Sequence, residues 1–288
     1  MASSDPLVFY DISSSVQPRS MAPNTSKSRL ALSFKRVPFK TDFIDMLDIP
    51  ATRAQLNCPA SRKYSDGTDY PTLPMLHDPS TALTIGDSFD IAIYLDEHYP
   101  SSSFSSGCSG SLFPDDSSHT GLDYKSPHED IAIFAPLSSM DGRDAKYAKY
   151  ASFNVNVDAT FSAHVLLLAE FLPFNPHSRD AVRDKFVARS GVTSWDELCV
   201  PAGPRRAELM DAFKEALTTL AELYQVNGHK GPYLEGERPS YADFIVGGWL
   251  NMLFVCMPEA EWRDFRGWFG GVFGRLHDVL QKEFWVST

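Results

Sequence analysis

A Ser-, Gly-, Pro- and Asp-rich stretch from Ser101 to Ser126 separates two lengths of chain with different hydrophobic periodicities, and this break constrains the fold more than any single motif. Before it, short apolar runs alternate with helical patterns. Leu7-Val8-Phe9-Tyr10 reads as a strand, and Pro23 stands where a first helical position tolerates proline. The helix that follows runs from about Asn24 to Lys35, with Leu30, Ala31 and Phe34 turned inward, and Pro38 ends it. Phe39 to Met46 alternates as a second strand, while Ile49 to Asp69 is turn-rich and carries one weak helical turn. Pro71 to Asp78 reads as a proline-interrupted strand in a hairpin with Leu83-Thr84-Ile85, and Asp87-Ser88 opens a helix through His98.

Beyond the break the pattern is helical throughout. Leu209, Phe213, Ala216, Leu217, Leu220 and Tyr224 trace one helical face. Phe244 to Met257 is apolar for 14 residues and contains Gly247, Gly248 and Asn251. A membrane-spanning helix needs about 20 residues, so this stretch reads as a buried core helix. Pro173 to Pro204 holds two further proline-flanked breaks. The chain therefore divides into an α/β domain over 1–100, a connector over 101–126 and an all-α domain over 127–288.

Charge narrows the function. The 26 basic and 37 acidic side chains give a formal charge of −11, which argues against a nucleic-acid partner or an anionic membrane, because both need clustered Lys and Arg. The N-terminus lacks the basic and apolar regions of a secretory signal, the C-terminus lacks a sorting motif, and a cytoplasmic protein without membrane insertion is expected. Cys58, Cys108, Cys199 and Cys256 are widely spaced and read as reduced thiols. The eight histidines show no metal-ligand spacing, and no metal is expected. Between Asp11 and Asp42 lie Arg19, Lys27, Arg29, Lys35, Arg36 and Lys40 with no acidic residue among them. Such a run is either a solvated basic helix face or a local field for an anionic ligand.

Three motifs carry a family resemblance. The first is T-L-P-M-L at Thr72 to Leu76, the second G-D-S-F-D-I at Gly86 to Ile91, and the third P-S-Y-A-D-F at Pro239 to Phe244. Together with the domain layout they resemble the glutathione transferase superfamily, over nearly the whole chain apart from the connector. M-A-P-N-T-S-K-S-R-L-A-L at Met21 to Leu32, Y-L-D-E-H-Y-P at Tyr94 to Pro100 and R-S-G-V-T-S-W-D-E-L at Arg189 to Leu198 look most like the fungal class related to lignin β-etherases, some of whose members act in secondary metabolism. The resemblance implies a thioredoxin-like N-terminal domain, an all-α C-terminal domain, glutathione as the cofactor and a homodimer.

The resemblance also implies site residues. Leu73, before a cis Pro74, would pair its backbone with the cysteinyl unit of glutathione. Asp87 and Ser88, at a helix N-terminus, would hold the γ-glutamyl unit, although Asp and Ser are also ordinary caps. Lys63, with Arg62 or Arg53 as substitutes, would meet the glycyl carboxylate. Ser240 and Asp243 form a capping box with a structural role.

Glutathione acts as its thiolate, and a free thiol with a pKa near 8.5 is mostly protonated at pH 7. Lowering that pKa by two units takes roughly 2.7 kcal/mol of preference for charged sulfur, which donors at a helix N-terminus can provide. Where the class often has serine before the proline, this chain has Ala22. Asn24 then becomes the candidate catalytic donor, with Ser20 and Ser26 as alternatives and Tyr10 and Ser13 at the end of the first strand.

Tyr147, Tyr150, Phe153, Val157 and Phe161 recur at near-helical spacing and either line a pocket for a hydrophobic electrophile or belong to the core. His164 beside them is a pocket acid or a satisfied core histidine. The implied reaction is addition of the thiolate to an electrophilic or conjugated small molecule, with net conjugation. Its alternatives are isomerisation of a conjugated alkene with glutathione recycled, β-ether cleavage, or a non-catalytic ligand-binding or regulatory module.

Overall fold

The computed structural model describes residues 5–64, 66–100, 110–114, 121–128 and 144–285. Most of the connector expected over 101–126 lies outside them. The first domain runs β1 (Leu7–Ile12), α1 (Pro23–Lys35), β2 (Phe39–Ile44), α2 (Ile49–Gln55), β3 (Arg62–Lys63), β4 (Asp69–Tyr70), β5 (Met75–Asp78), β6 (Leu83–Ile85) and α3 (Ser88–His98). The main sheet has the order β2-β1-β5-β6. Parallel pairing of β1 with β2 requires a crossover, which α1 supplies; β5 and β6 then add antiparallel strands as a hairpin. This is the thioredoxin-like arrangement.

One sequence expectation needs correction in this domain. The segment from Ile49 is a seven-residue helix followed by the short β3–β4 hairpin, rather than a single weak turn. Its buried Arg53 fastens it, donating to the carbonyl oxygens of Cys58, Thr72, Gly86 and Pro59.

The second domain is helical: α4 (Ala148–Ser162), α5 (Leu166–Ala169), α6 (Arg179–Ser190), α7 (Pro204–Ala216), α8 (Thr218–Val226), α9 (Tyr241–Cys256), α10 (Glu259–Phe265) and α11 (Trp268–Phe284). The periodic face from Leu209 to Tyr224 spans two of these, because the chain bends at Leu217 between α7 and α8. Among the described residues no helix is long and apolar enough to cross a membrane.

Helix α9 forms the centre of the molecule and packs against α1, α4 and α11. Its start is a capping box: the Asp243 carboxylate accepts the Ser240 and Leu234 N–H groups, each at 2.8 Å. Tyr241 Oη donates to the Ser88 carbonyl at 2.8 Å, tying α9 to the start of α3.

The acid-free basic run is neither a solvated face nor an open field. Lys27, Arg29 and Lys35 are buried and paired with Asp158, Asp11 and Asp96 at 2.6, 3.1 and 2.9 Å. Helix α1 is covered by the sheet on one side and α9 on the other, so cations on it must find carboxylates within the fold. Arg19 lies 4.9 and 5.1 Å from the Phe254 and Trp285 ring centres, and only Arg36 and Lys40 of the six are exposed.

Candidate active site

A cavity of about 760 Å³ opens between the α/β domain and the helices. On one side stand Ala22, Pro23 and Asn24 at the start of α1, Arg62 on β3, and Thr72 and Leu73 before β5. On the other side stand Asp158 of α4, Trp249 and Met252 of α9, and Phe174, Phe186 and Trp195.

Small residues set the position of α1. Gly247 and Gly248 lie side by side in α9, and Gly248 faces the Pro23 carbonyl and Lys27, so the two helices touch backbone to backbone at the first turn of α1. Asn251, one turn later on α9, donates its amide to the Ser20 carbonyl at 2.8 Å and to Ser26 Oγ at 2.9 Å. The loop into α1 is thereby clamped.

The three polar candidates near this turn separate. Asn24 is in the cavity wall, and its Oδ1 is buried with no hydrogen-bond partner. Ser26 Oγ is consumed by Asn251 and by donation to the Ala22 carbonyl at 2.9 Å. Ser20 Oγ is fully buried, donates to Asp11 and accepts from Arg29 Nε at 3.2 Å. Neither serine lines the cavity, so Asn24 is the only one of the three that the fold exposes to it. Ala22 itself is the extended cap residue of α1 and offers no side-chain bond. Tyr10 and Ser13 also lie outside the lining; burial, with Asp42 second, pushes the Tyr10 phenol up.

The Leu73–Pro74 bond is cis, and Leu73 precedes the last β1–β5 pair, Tyr10–Met75. Its peptide groups therefore fall beyond the ladder, at the cavity edge. Asp87 caps α3, accepting the Phe89 and Asp90 N–H groups at 2.8 and 3.3 Å. Ser88 Oγ is buried with no hydrogen-bond partner. Neither residue lines the cavity directly; Arg62 does, with its Nη2 4.0 Å from Asp87 Oδ2.

Of the three candidate cations, Arg62 is therefore the one at the cavity. Lys63 alternates to the opposite face of its two-residue strand, is exposed, and pairs with Asp69 at 3.4 Å. Arg53 is spent on backbone carbonyls.

The expected apolar pocket stripe is corrected by the fold. Tyr147, Tyr150, Phe153, Val157 and Phe161 are all buried in the core, and none lines the cavity. Phe113 packs edge-on to Tyr147 and Tyr150 at 4.9 and 5.1 Å, and Tyr147 Oη donates to Glu97 at 2.7 Å. From α4 the cavity receives Asp158 and Ser162 instead. His164 is a core histidine: its Nδ1 lies 3.0 Å from the Thr160 carbonyl, its ring stacks on Phe213, and burial pushes its pKa down.

The apolar wall comes from the proline-flanked region. Phe174, Phe186 and Trp195 form a ring cluster with centroid separations of 5.5, 5.7 and 6.0 Å. The first domain holds this segment in place. Asp45 accepts from Asn175 Nδ2 at 3.0 Å and Ser178 Oγ at 2.6 Å, the Ser15 N–H donates to Pro173, and Arg189 Nη1 donates to Tyr70 Oη at 3.3 Å. A signal for it was present in the sequence. Val182, Phe186 and Arg189 share one helical face, and Ser194 to Glu197 form a capping box that both side chains complete.

Comparison with known proteins accounts for this geometry. Residues 22–98 match the family described as Glutathione S-transferase, N-terminal domain, and residues 151–284 match Glutathione S-transferase, C-terminal domain. The chain is 25% identical to the Glutathione S-transferase-like protein ustS of Aspergillus flavus, over 94% of this chain and 88% of that one. Two glutathione S-transferases of Ceriporiopsis subvermispora, each solved in complex with glutathione, are 26% identical, with TM-scores of 0.74 and 0.73. Those alignments cover 98% and 96% of this chain and 99% of each of theirs. With both domains matched and the thioredoxin-like and helical units joined around one cavity, the chain belongs to the glutathione S-transferase superfamily.

Proposed function

We propose that the chain is a glutathione-dependent enzyme that adds the tripeptide's sulfur to an electrophilic or conjugated hydrophobic molecule, with net conjugation, in fungal secondary metabolism. The observation that carries this reading is the cavity in which Asn24 and Leu73 face an aromatic wall built by Phe174, Phe186 and Trp195. The residues present fit glutathione. Asn24 stands in the cavity wall at the start of α1, Ser88 Oγ is an orphaned buried hydroxyl, and Arg62 brings a cation to the cavity.

Glutathione supplies a thiol that becomes a strong nucleophile once ionised. Asn24 donates its amide N–H toward sulfur, and the N-terminal end of α1 adds its dipole, so the charged form is favoured. Leu73 offers its peptide N–H and C=O to an extended tripeptide. Asp87 and Ser88 hold the γ-glutamyl end at the start of α3, and Arg62 takes the glycyl carboxylate. The aromatic wall holds the second substrate and excludes water.

The test is binding to immobilised glutathione followed by turnover of a conjugated enone, with free thiol and product mass counted together. Thiol loss matched by adduct supports conjugation. Isomer formation at constant thiol would replace it with isomerisation, and release of a phenol from an aryl ether would replace it with ether cleavage. Binding with no reaction over a panel of electrophiles would leave a ligand-binding module.

A further inference from the structure

We propose that Asp158 is a specificity residue of the second-substrate site, selecting hydrophobic molecules that carry a hydroxyl as hydrogen-bond donor. The proposal rests on the cavity being that site. It names a subsite on α4, in the part of the cavity wall that receives Asp158 and Ser162.

Asp158 is 3% exposed, yet it lines the cavity. Its Oδ1 receives two strong donors, Lys27 Nζ at 2.6 Å and Trp249 Nε1 at 2.7 Å. Lys27 is itself wholly buried and completes its contacts on Asn154 Oδ1 at 2.9 Å. The ion pair balances the carboxylate charge, and the indole fixes its plane. Oδ2 has no hydrogen bond to any described residue. A carboxylate oxygen can take two donors, so the wall presents an acceptor that is pre-oriented and unused.

Its surroundings decide what it accepts. Trp249, Met252, Val165 and Leu172 make this part of the wall apolar, and Ser162 stands one helical turn beyond Asp158 on α4. An apolar ligand packed here would strip water from Oδ2 without replacing it, an outcome that costs binding. A ligand hydroxyl in the same place keeps Oδ2 satisfied. A ligand carboxylate would be repelled. The predicted preference for a hydroxyl over its methyl ether is about 10- to 100-fold, the range of a hydrogen bond to a charged acceptor.

The Lys27–Asp158–Trp249 contacts also fasten α1 to α4 and α9, so loss of stability alone would not establish selectivity. The experiment uses 4-hydroxychalcone and 4-methoxychalcone as probes, with binding read from tryptophan fluorescence in the absence of glutathione. The variants are Lys27→Met with Asp158→Leu, which replaces the buried pair by apolar side chains of similar size, and Lys27→Met with Asp158→Val, a smaller apolar pair, if the first fails to fold. Wild type should bind the hydroxy probe at least about 10-fold tighter, and the variant should bind both within about 2-fold while its affinity for the methoxy probe stays within about 3-fold. Equal binding of both probes by wild type, or a preference that survives in the variant, would overturn the proposal. Glutathione affinity is measured separately by calorimetry. Its absence beside an intact hydroxyl preference would defeat the glutathione reading and leave this one standing.

Discussion

A Cβ placed on Gly248 would lie 2.5 Å from the carbonyl oxygen of Pro23, so the position of the first turn of α1 depends on a missing side chain in α9. Alanine in a helix interior ordinarily gains about 1 kcal/mol over glycine. Here the added methyl meets backbone, which cannot swing aside, and the overpacking penalty of about 1–3 kcal/mol wins. Gly248→Ala should lower the melting temperature by roughly 2–8 °C and weaken glutathione binding by at least about 10-fold, because the whole cavity wall formed by Ala22, Pro23 and Asn24 moves with the turn. Gly247→Ala meets only the side chains of Leu280 and Leu30. It should cost stability while leaving glutathione affinity nearly unchanged. Calorimetry on both variants separates the two effects, and equal affinity losses would refute the link between Gly248 and the site.

Asn24 makes a sharper prediction about chemistry than about binding. If its amide donates to charged sulfur, the interaction is worth about 1.5–3 kcal/mol in the thiolate and much less in the thiol. Asn24→Ala should therefore raise the pKa of bound glutathione by about 1–2 units. Its affinity near pH 6 should change little. Thiolate absorbance titrated across pH on the complex reads this directly. An unchanged titration midpoint would move the role to the α1 backbone alone.

Arg62 and Lys63 are neighbours in sequence with opposite surroundings. Arg62 lines the cavity and approaches Asp87, whereas Lys63 points to solvent beside Asp69. Arg62→Ala should weaken glutathione at least about 10-fold, and Lys63→Ala should stay within about 2-fold, because a screened surface charge contributes little. The loss on Arg62→Ala should shrink for a glutathione analogue amidated at glycine. A loss of the same size for both ligands would show that Arg62 serves Asp87 and not the glycyl end.

Much of the fold was legible because its signals are local. A proline before β5, an Asp-Ser cap before α3 and a Ser-x-x-Asp box before α9 each act within a few residues of where they are written. The site was only half legible for the converse reason. Periodicity along α4 announces an apolar face but not its neighbour; Phe113 claims both Tyr147 and Tyr150, and Trp249 stacks on Phe161 at 5.4 Å. The basic run is the clearest instance. Lys27 and Lys35 find their carboxylates 131 and 61 residues away, a distance over which no local pattern carries information. The aromatic wall had a readable helix and capping box, but its docking on Asp45 and Tyr70 comes only from the fold.

His277 and Asp243 set opposing pH dependences of stability. Burial pushes His277 down to about 4, against the pull of Asp278 at 3.5 Å and with help from Arg266 and Arg19. Its Nε2 is buried without a hydrogen-bond partner. The unfolded ring titrates near 6.5, so between about 6.5 and 4 the unfolded chain holds the extra proton and the fold loses stability as pH falls. Burial raises Asp243 to about 6, above its unfolded value, despite the Ser240 and Leu234 N–H groups it accepts. The folded chain holds the extra proton there, and stability rises as pH falls from about 6 toward 4. The two contributions oppose each other in the wild type. His277→Gln removes the first and keeps the second, so the variant should gain on the wild type by about 3 kcal/mol between pH 7 and pH 4. Urea unfolding of both proteins at pH 7, 5.5 and 4 measures that difference. Parallel profiles would mean that His277 titrates in the fold as it does in the unfolded chain.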